Sequence, residues 1–327
     1  MATLAEIRER LKQQETQGAP TSGSGDNSVY PFWNMDKGES ATIRFLPDAN
    51  QRNDFFWVER QMIKLPFVGV KGDTENKKII VQVPCMEMYG GSCPVLNEVR
   101  GWFKDPTLED RARQYWKKRS YIFQGFVVND PLQEDSVPEN PIRRFIIGPQ
   151  IFKIIKTSLL DPDLEELPTD YVYGIDFRLN KTADGSGYAD YSTSNWARRE
   201  RPLSEQEQDA INSFGLYDLG DFLPKKPSDI EVKVIEEMFE ASVGGEAYDA
   251  DRWGQYFRPN GMGMKTGDPN TTSKVVKEDI PFETVAPKAE KKVDSEPEVE
   301  QPKATSEESS DSRAKDILQM IRARQTQ

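Results

Sequence analysis

The chain has 327 residues, 36% of them hydrophobic, and its 55 acidic residues outweigh 43 lysines and arginines for a formal net charge of −12. It contains no histidine, which removes the commonest general base, proton shuttle and zinc ligand together and argues against an enzyme. No apolar run approaches the roughly 18 residues that cross a bilayer, and two cysteines cannot build a disulfide framework. A soluble intracellular protein with no membrane partner is expected.

At the N-terminus, Leu4, Ile7 and Leu11 share one face of a helix predicted from Thr3 to about Gln14, with Thr3 and Glu6 at capping-box spacing. A Gly/Ser/Pro linker follows to residue 28. So short a helix does not hold itself together in water. Its stripe is therefore expected to dock on a neighbouring copy, with Leu4, Ile7, Arg8 and Leu11 as the self-association residues.

Residues 29–258 read as the packed body. Strands are predicted at 41–47, 54–65, 77–83, 119–128 and 143–148, and 172–180 is expected to pair with 187–196 across TADGSG. Helices are predicted at 94–103, at 107–115 with Thr107 and Asp110 as a box, and at 149–159 with Ile151, Ile154, Ile155 and Leu159 on one face. Two more, at 204–214 and 228–239, open with the boxes Ser204/Glu207 and Ser228/Glu231. The expected fold is α+β, mainly β: a partly open barrel carrying helical insertions. Residues 259–312 form a Ser/Glu/Pro/Lys segment too polar to fold, an acidic, disordered tail. Residues 313–327 return to helical periodicity, and Ile317, Leu318 and Ile321 are the expected partner-binding residues.

The chemistry concentrates at 111–131, RARQYWKKRSYIFQGFVVNDP. Arg111, Arg113, Lys117, Lys118 and Arg119 interleave with Tyr115, Trp116, Tyr121 and Phe123. Such a mixture neutralises phosphates and stacks bases without reading sequence. It recurs at Arg143 and Arg144, at Lys153 and Lys156, and through Arg178, Lys181, Tyr188, Tyr191, Trp196, Arg198, Arg199 and Arg201. Some of these aromatics must be core, yet three segments of one composition look like walls of one groove. A solvated edge strand is the bland alternative for any one of them. Cys85 and Cys93 are half a zinc site. Leu96 stands where a third ligand would fall, so two buried thiols and no cofactor are expected. No glycine cluster has phosphate-loop spacing, and the carboxylate pairs Glu165/Glu166 and Glu236/Glu237 read as solvated faces.

ATIRFLPD (41–48), GGSCPVL (90–96), KKRSYIFQGFVVNDP (117–131), RRFIIGPQIFKII (143–155) and GIDFRLN…GYADYSTSNW (174–196) occur in that order. Together they resemble the single-stranded DNA-binding, helix-destabilising proteins of T-even-type phages. The resemblance implies an OB-fold core that coats single-stranded DNA cooperatively during replication, recombination and repair in the cytoplasm of a bacterial host. It also implies DNA contacts at Lys117, Lys118, Tyr121, Tyr188 and Tyr191, and recruitment of replication and recombination proteins by the tail. Three features depart from the family. Its zinc site uses one histidine and three cysteines, against Cys85 and Cys93 here. Its basic Lys/Arg–Ser/Thr arm motif is replaced by the Leu4–Lys12 helix, and the tail ends in a basic amphipathic helix. An RNA-binding or translational-control module and a non-enzymatic structural phage protein remain the alternatives. A metal-dependent nuclease is the weakest reading, for want of a carboxylate cluster.

Overall fold

The computed structural model describes residues 28–259, apart from 74–76, 135–136, 165 and 184–187. The predicted N-terminal helix, nearly all of the acidic tail and the terminal helix lie outside the described residues.

Among the described residues, nine strands and six α-helices follow one another. β1 spans Ser40–Leu46, β2 Trp57–Phe67, β3 Ile79–Pro84, α1 Pro94–Trp102, α2 Glu109–Tyr115, β4 Lys118–Asn129, β5 Arg143–Ile147 and α3 Pro149–Leu159. β6 spans Ile175–Asn180, β7 Thr182–Ala183, β8 Ala189–Asp190, β9 Asn195–Glu200, α4 Glu205–Phe214, α5 Asp229–Val243 and α6 Ala250–Trp253. The fold is α+β, with one dominant antiparallel sheet.

That sheet runs β3-β2-β4-β1-β6-β9, with β5 paired to β4 off the main path. β4 makes the fork possible because its 12 residues serve three partners. Residues 118–123 pair with β2 and 124–129 with β1, while 121–125 pair with β5. A strand has only two edges, so β2 and β1 lie end to end along one and β5 takes the other. Gly125 sits at the fork, opposite both Phe45 and Arg143. A Cβ there would lie 2.2 Å from the Arg44 carbonyl oxygen, closer than any side chain can come. The path ends at β3 and β9, and the described strands do not close into a barrel.

Two large cores lie along the sheet, with smaller clusters beside them. Phe45, Phe123, Phe145 and Phe177 meet Ile151 and Ile155 of α3 in the first. In the second, Ile63, Leu65, Val81 and Val83 pack under Trp102, Tyr115, Phe239 and Trp253 from α1, α2, α5 and α6. β2 threads both. Its N-terminal Trp57 belongs to the first core, and Ile63 to Phe67 belong to the second. Burial of Ala241 and Val243 against the second core carries α5 past the expected end at Phe239.

Local signals held where they were self-contained. Both predicted capping boxes at Ser204/Glu207 and Ser228/Glu231 are reciprocal. Thr107 does not cap α2: its N–H and hydroxyl both donate to Asp105 Oδ1, at 2.9 and 2.8 Å, and the helix starts at Glu109. The hairpin is also offset from its expected pairing. Phe177 faces Trp196 and the partner strand runs on to Glu200, while Thr182–Ala183 and Ala189–Asp190 form a separate ribbon. A turn closed by Ser194 N–H on the Tyr191 carbonyl (3.0 Å) inserts between the two ladders.

Candidate nucleic-acid interface

The segment with the richest cation–aromatic mixture turns inward. Tyr115 is only 2% exposed, edge-on to Trp102 and Phe239, with its hydroxyl 3.1 Å from Ser242 Oγ. Trp116 packs edge-on against Phe103 at 5.1 Å. Arg111 donates to the Val243 carbonyl at the end of α5 (3.0 Å), and Arg113 pairs with Glu109 one turn back. Lys117 Nζ donates to Glu87 Oε2 at 2.7 Å, while Arg100 holds Oε1. Burial works to raise the pKa of Glu87, but hydrogen bonds from Lys117 and Arg100 outweigh it and leave it below the usual carboxylate range.

Lys118 is the clearest correction. It is 9% exposed and donates to the Arg113 carbonyl at 2.9 Å. Burial, aided by the nearby charge of Lys64, pulls its pKa down to about 8. Tyr121 is buried too: Phe152 of α3 covers its ring face, with centroids 3.4 Å apart and planes 9° from parallel. Neither meets solvent as a phosphate or base contact should. Of the cations here, Arg119 remains exposed, 3.4 Å from Glu59.

Arg143 and Arg144 are likewise internal. Arg143 forks onto both oxygens of Glu134 (2.8 and 2.9 Å), donates to the Val29 carbonyl and lies over the Tyr30 ring. The Arg144 guanidinium rests 3.7 Å from the centroid of Phe222, beside Tyr217, under residues 217–222. That segment is anchored because Gln124 Nε2 donates to the Tyr217 carbonyl and Gln124 Oε1 accepts from its N–H. Lys181 clamps the carbonyls of Trp33 and Met35 at 2.6 and 2.7 Å. Tyr191 is buried edge-on to Phe32, and burial pushes its pKa up to about 12. Trp196 leans on Phe177 and Phe45 inside the first core.

What stays outside is the β6–β9 end of the sheet. Arg178, Arg198 and Arg199 are exposed and have no carboxylate partner among the described residues. Tyr188, just before β8, is 73% exposed, whereas Arg201 pairs with Asp176 and Glu207. Lys153 and Lys156 line the outer side of α3. Sequence reading passed over Phe55 and Phe152. Phe55 is exposed on the loop entering β2 and Phe152 half-buried on α3. The doublet Phe55-Phe56 was a usable signal, because alternation sends only one of two adjacent strand-entry aromatics to the core.

Cys85 and Cys93 are both buried. The hydrogen bond from Cys85 lowers the pKa of Cys93, helped by the amides of Leu96, Met86 and Val95, and Cys85 is pushed up in turn. The donor set does not fit the family's zinc site: the thiols engage each other, Leu96 is core, and both Glu87 oxygens are taken. Among the described residues no group of three or more His, Cys, Asp or Glu gathers to hold a metal.

No helix of the described residues is long and apolar enough to cross a membrane. No family model matches the chain, and no curated protein matches it either.

Proposed function

We propose that the chain is a non-enzymatic single-stranded DNA-binding protein built on an OB-like core. It coats exposed strands cooperatively, removes their secondary structure and recruits replication and recombination proteins of a phage in its bacterial host. The observation that carries the reading is the surface at the β6–β9 end. There Arg178, Arg198 and Arg199 are exposed with no carboxylate partner among the described residues, and Tyr188, on the segment joining β6 to β9, is 73% exposed, in a chain of net charge −12. Cations cost nothing to leave exposed, but three without acid partners in an acidic protein suit a polyanion, and an exposed tyrosine on the same hairpin suits a base. The ordered motifs of the phage proteins support the same reading. A protein that binds the melted strand and not the duplex displaces the equilibrium toward the single strand by mass action. Residues 259–312, with twelve acidic residues against seven lysines, would compete with phosphate for the same cations.

Competition binding with oligo(dT), oligo(U) and duplex DNA across a salt series tests this. Preference for the single strands, weakening steeply with salt, is expected. Equal affinity for duplex, or none for any of the three, rejects it.

A further inference from the structure

Across the sheet from β9, at the start of β2, the molecule presents a second aromatic surface. Phe55 is 57% exposed and lies against Trp57, with ring centroids 4.7 Å apart and planes 32° from parallel. Trp57 is half-buried, stacked on Phe123 at 5.7 Å and meeting Phe152 edge-on at 5.4 Å. Phe152 in turn covers Tyr121. The rings form a continuous column, rooted in the first core and open to solvent at Phe55.

The loop that ends in Phe55 is fixed before any ligand arrives. Asn53 Nδ2 donates to Asp48 Oδ2 (2.7 Å) and to the Trp57 carbonyl (3.1 Å), and Asn53 Oδ1 accepts from Phe55 N–H (3.1 Å). Asn50 N–H donates to Asp48, and Arg52 N–H to Asn50. An exposed ring held this way loses little freedom when something stacks on it.

The surroundings decide what stacks. Lys156 lies one helical turn beyond Phe152, on the same side of α3, and Lys153 lies next to that residue; both are exposed. Arg52 is exposed in the loop; of the nearby acids, Arg119 pairs with Glu59, Asp48 is held by Asn50 and Asn53, and Asp54 is exposed. A planar ring bordered by cations is complementary to a base bordered by phosphates.

We propose that Phe55, backed by Trp57 and Phe152 and flanked by Lys153 and Lys156, is a base-stacking platform for the unpaired bases of a single nucleic-acid strand. The platform rests on the single-strand reading and places a second contact on a different strand of the sheet.

The test is fluorescence anisotropy of full-length protein with labelled oligo(dT) and oligo(U), with duplex as competitor. Phe55→Ala should weaken binding by about five- to 150-fold, the range for one stacked base. Phe55→Trp should restore it. Phe55→Leu, which keeps apolar bulk but has no π-face, should behave like Phe55→Ala. Lys153→Ala/Lys156→Ala should weaken binding and flatten its salt dependence. Losses on oligo(dT) alone assign the platform to DNA, and equal losses on both strands assign it to single strands in general. The reference is the triple variant Arg178→Ala/Arg198→Ala/Arg199→Ala. If that variant loses affinity while Phe55→Ala and Phe55→Leu bind as wild type does, the platform is overturned and the single-strand reading stands. If the wild-type protein itself prefers neither single strand to duplex, the parent reading fails and the platform falls with it.

Discussion

Residues 111–121 and residues 178–199 share a composition but leave different shares of it exposed. Both mix arginine or lysine with tyrosine and tryptophan. In the first, Tyr115, Lys118 and Tyr121 are buried and most of the cations hold carbonyls or carboxylates. In the second, Lys181, Tyr191 and Trp196 are also held inside, but Arg178, Tyr188, Arg198 and Arg199 face solvent. The difference is position in the sheet. β4 is the central strand, paired on both edges and overlain by α3 on one face and residues 217–222 on the other. β9 ends the path, and no strand of the described residues pairs with its outer edge. A long cation near a covered strand finds internal acceptors because burying it unpaired would be costly. One at an edge is left for solvent or a ligand.

The sharpest way to break this contrast is through stability. Tyr115→Ala and Tyr121→Ala should each lose about 3–5 kcal/mol in urea unfolding, as large aromatic-to-alanine changes in a core do. Arg178→Ala should stay within about 0.5 kcal/mol of wild type. A Tyr121→Ala variant that stays stable and loses only oligonucleotide affinity would return Tyr121 to the surface.

Next in size is the salt dependence of binding. Removing Arg178, Arg198 and Arg199 together should lower the slope of log affinity against log salt by about 2, from about 0.7 per single-strand phosphate contact. Lys118→Ala should leave that slope unchanged, because its ammonium is engaged with the Arg113 carbonyl. An equal change for Lys118→Ala would put it in the groove after all.

A smaller effect follows from the lowered pKa of Lys118. Below about pH 8 both states are protonated and the folded state bears the full cost of the buried charge. Between about 8 and the ordinary lysine value of 10.5 the folded protein has released a proton that the unfolded chain still holds, so stability rises with pH. Wild type should therefore gain stability relative to Lys118→Met between pH 7 and pH 10. Urea midpoints that stay parallel across that range would show that Lys118 titrates as a solvated lysine.

The smallest shift concerns the acidic segment. Deleting residues 259–327 should tighten binding to a short oligonucleotide, most visibly at low salt, where screening is weakest. No change at low salt would leave the tail as a tether only.

What could be read from the sequence was whatever a few neighbouring residues decide among themselves. Ser204 with Glu207 and Ser228 with Glu231 set helix starts because both partners of each box lie within one turn. Pro149 and the spacing of Ile151 and Ile155 set α3, and the β-branched and aromatic runs set β1, β4 and β5. Alternation also shows that Arg119, Tyr121 and Phe123 share one face of β4. It does not say what covers that face. Only the tertiary structure decided that α3 lays Phe152 on Tyr121, that the segment after α4 closes over Arg144, and that Gly125 lets three strands converge on β4. These contacts join residues far apart in the chain, 78 positions for Arg144 and Phe222 and 81 for Arg44 and Gly125. Whether a cation is a ligand for phosphate or a clamp for a carbonyl depends on which groups reach it, and that is a property of the assembled fold.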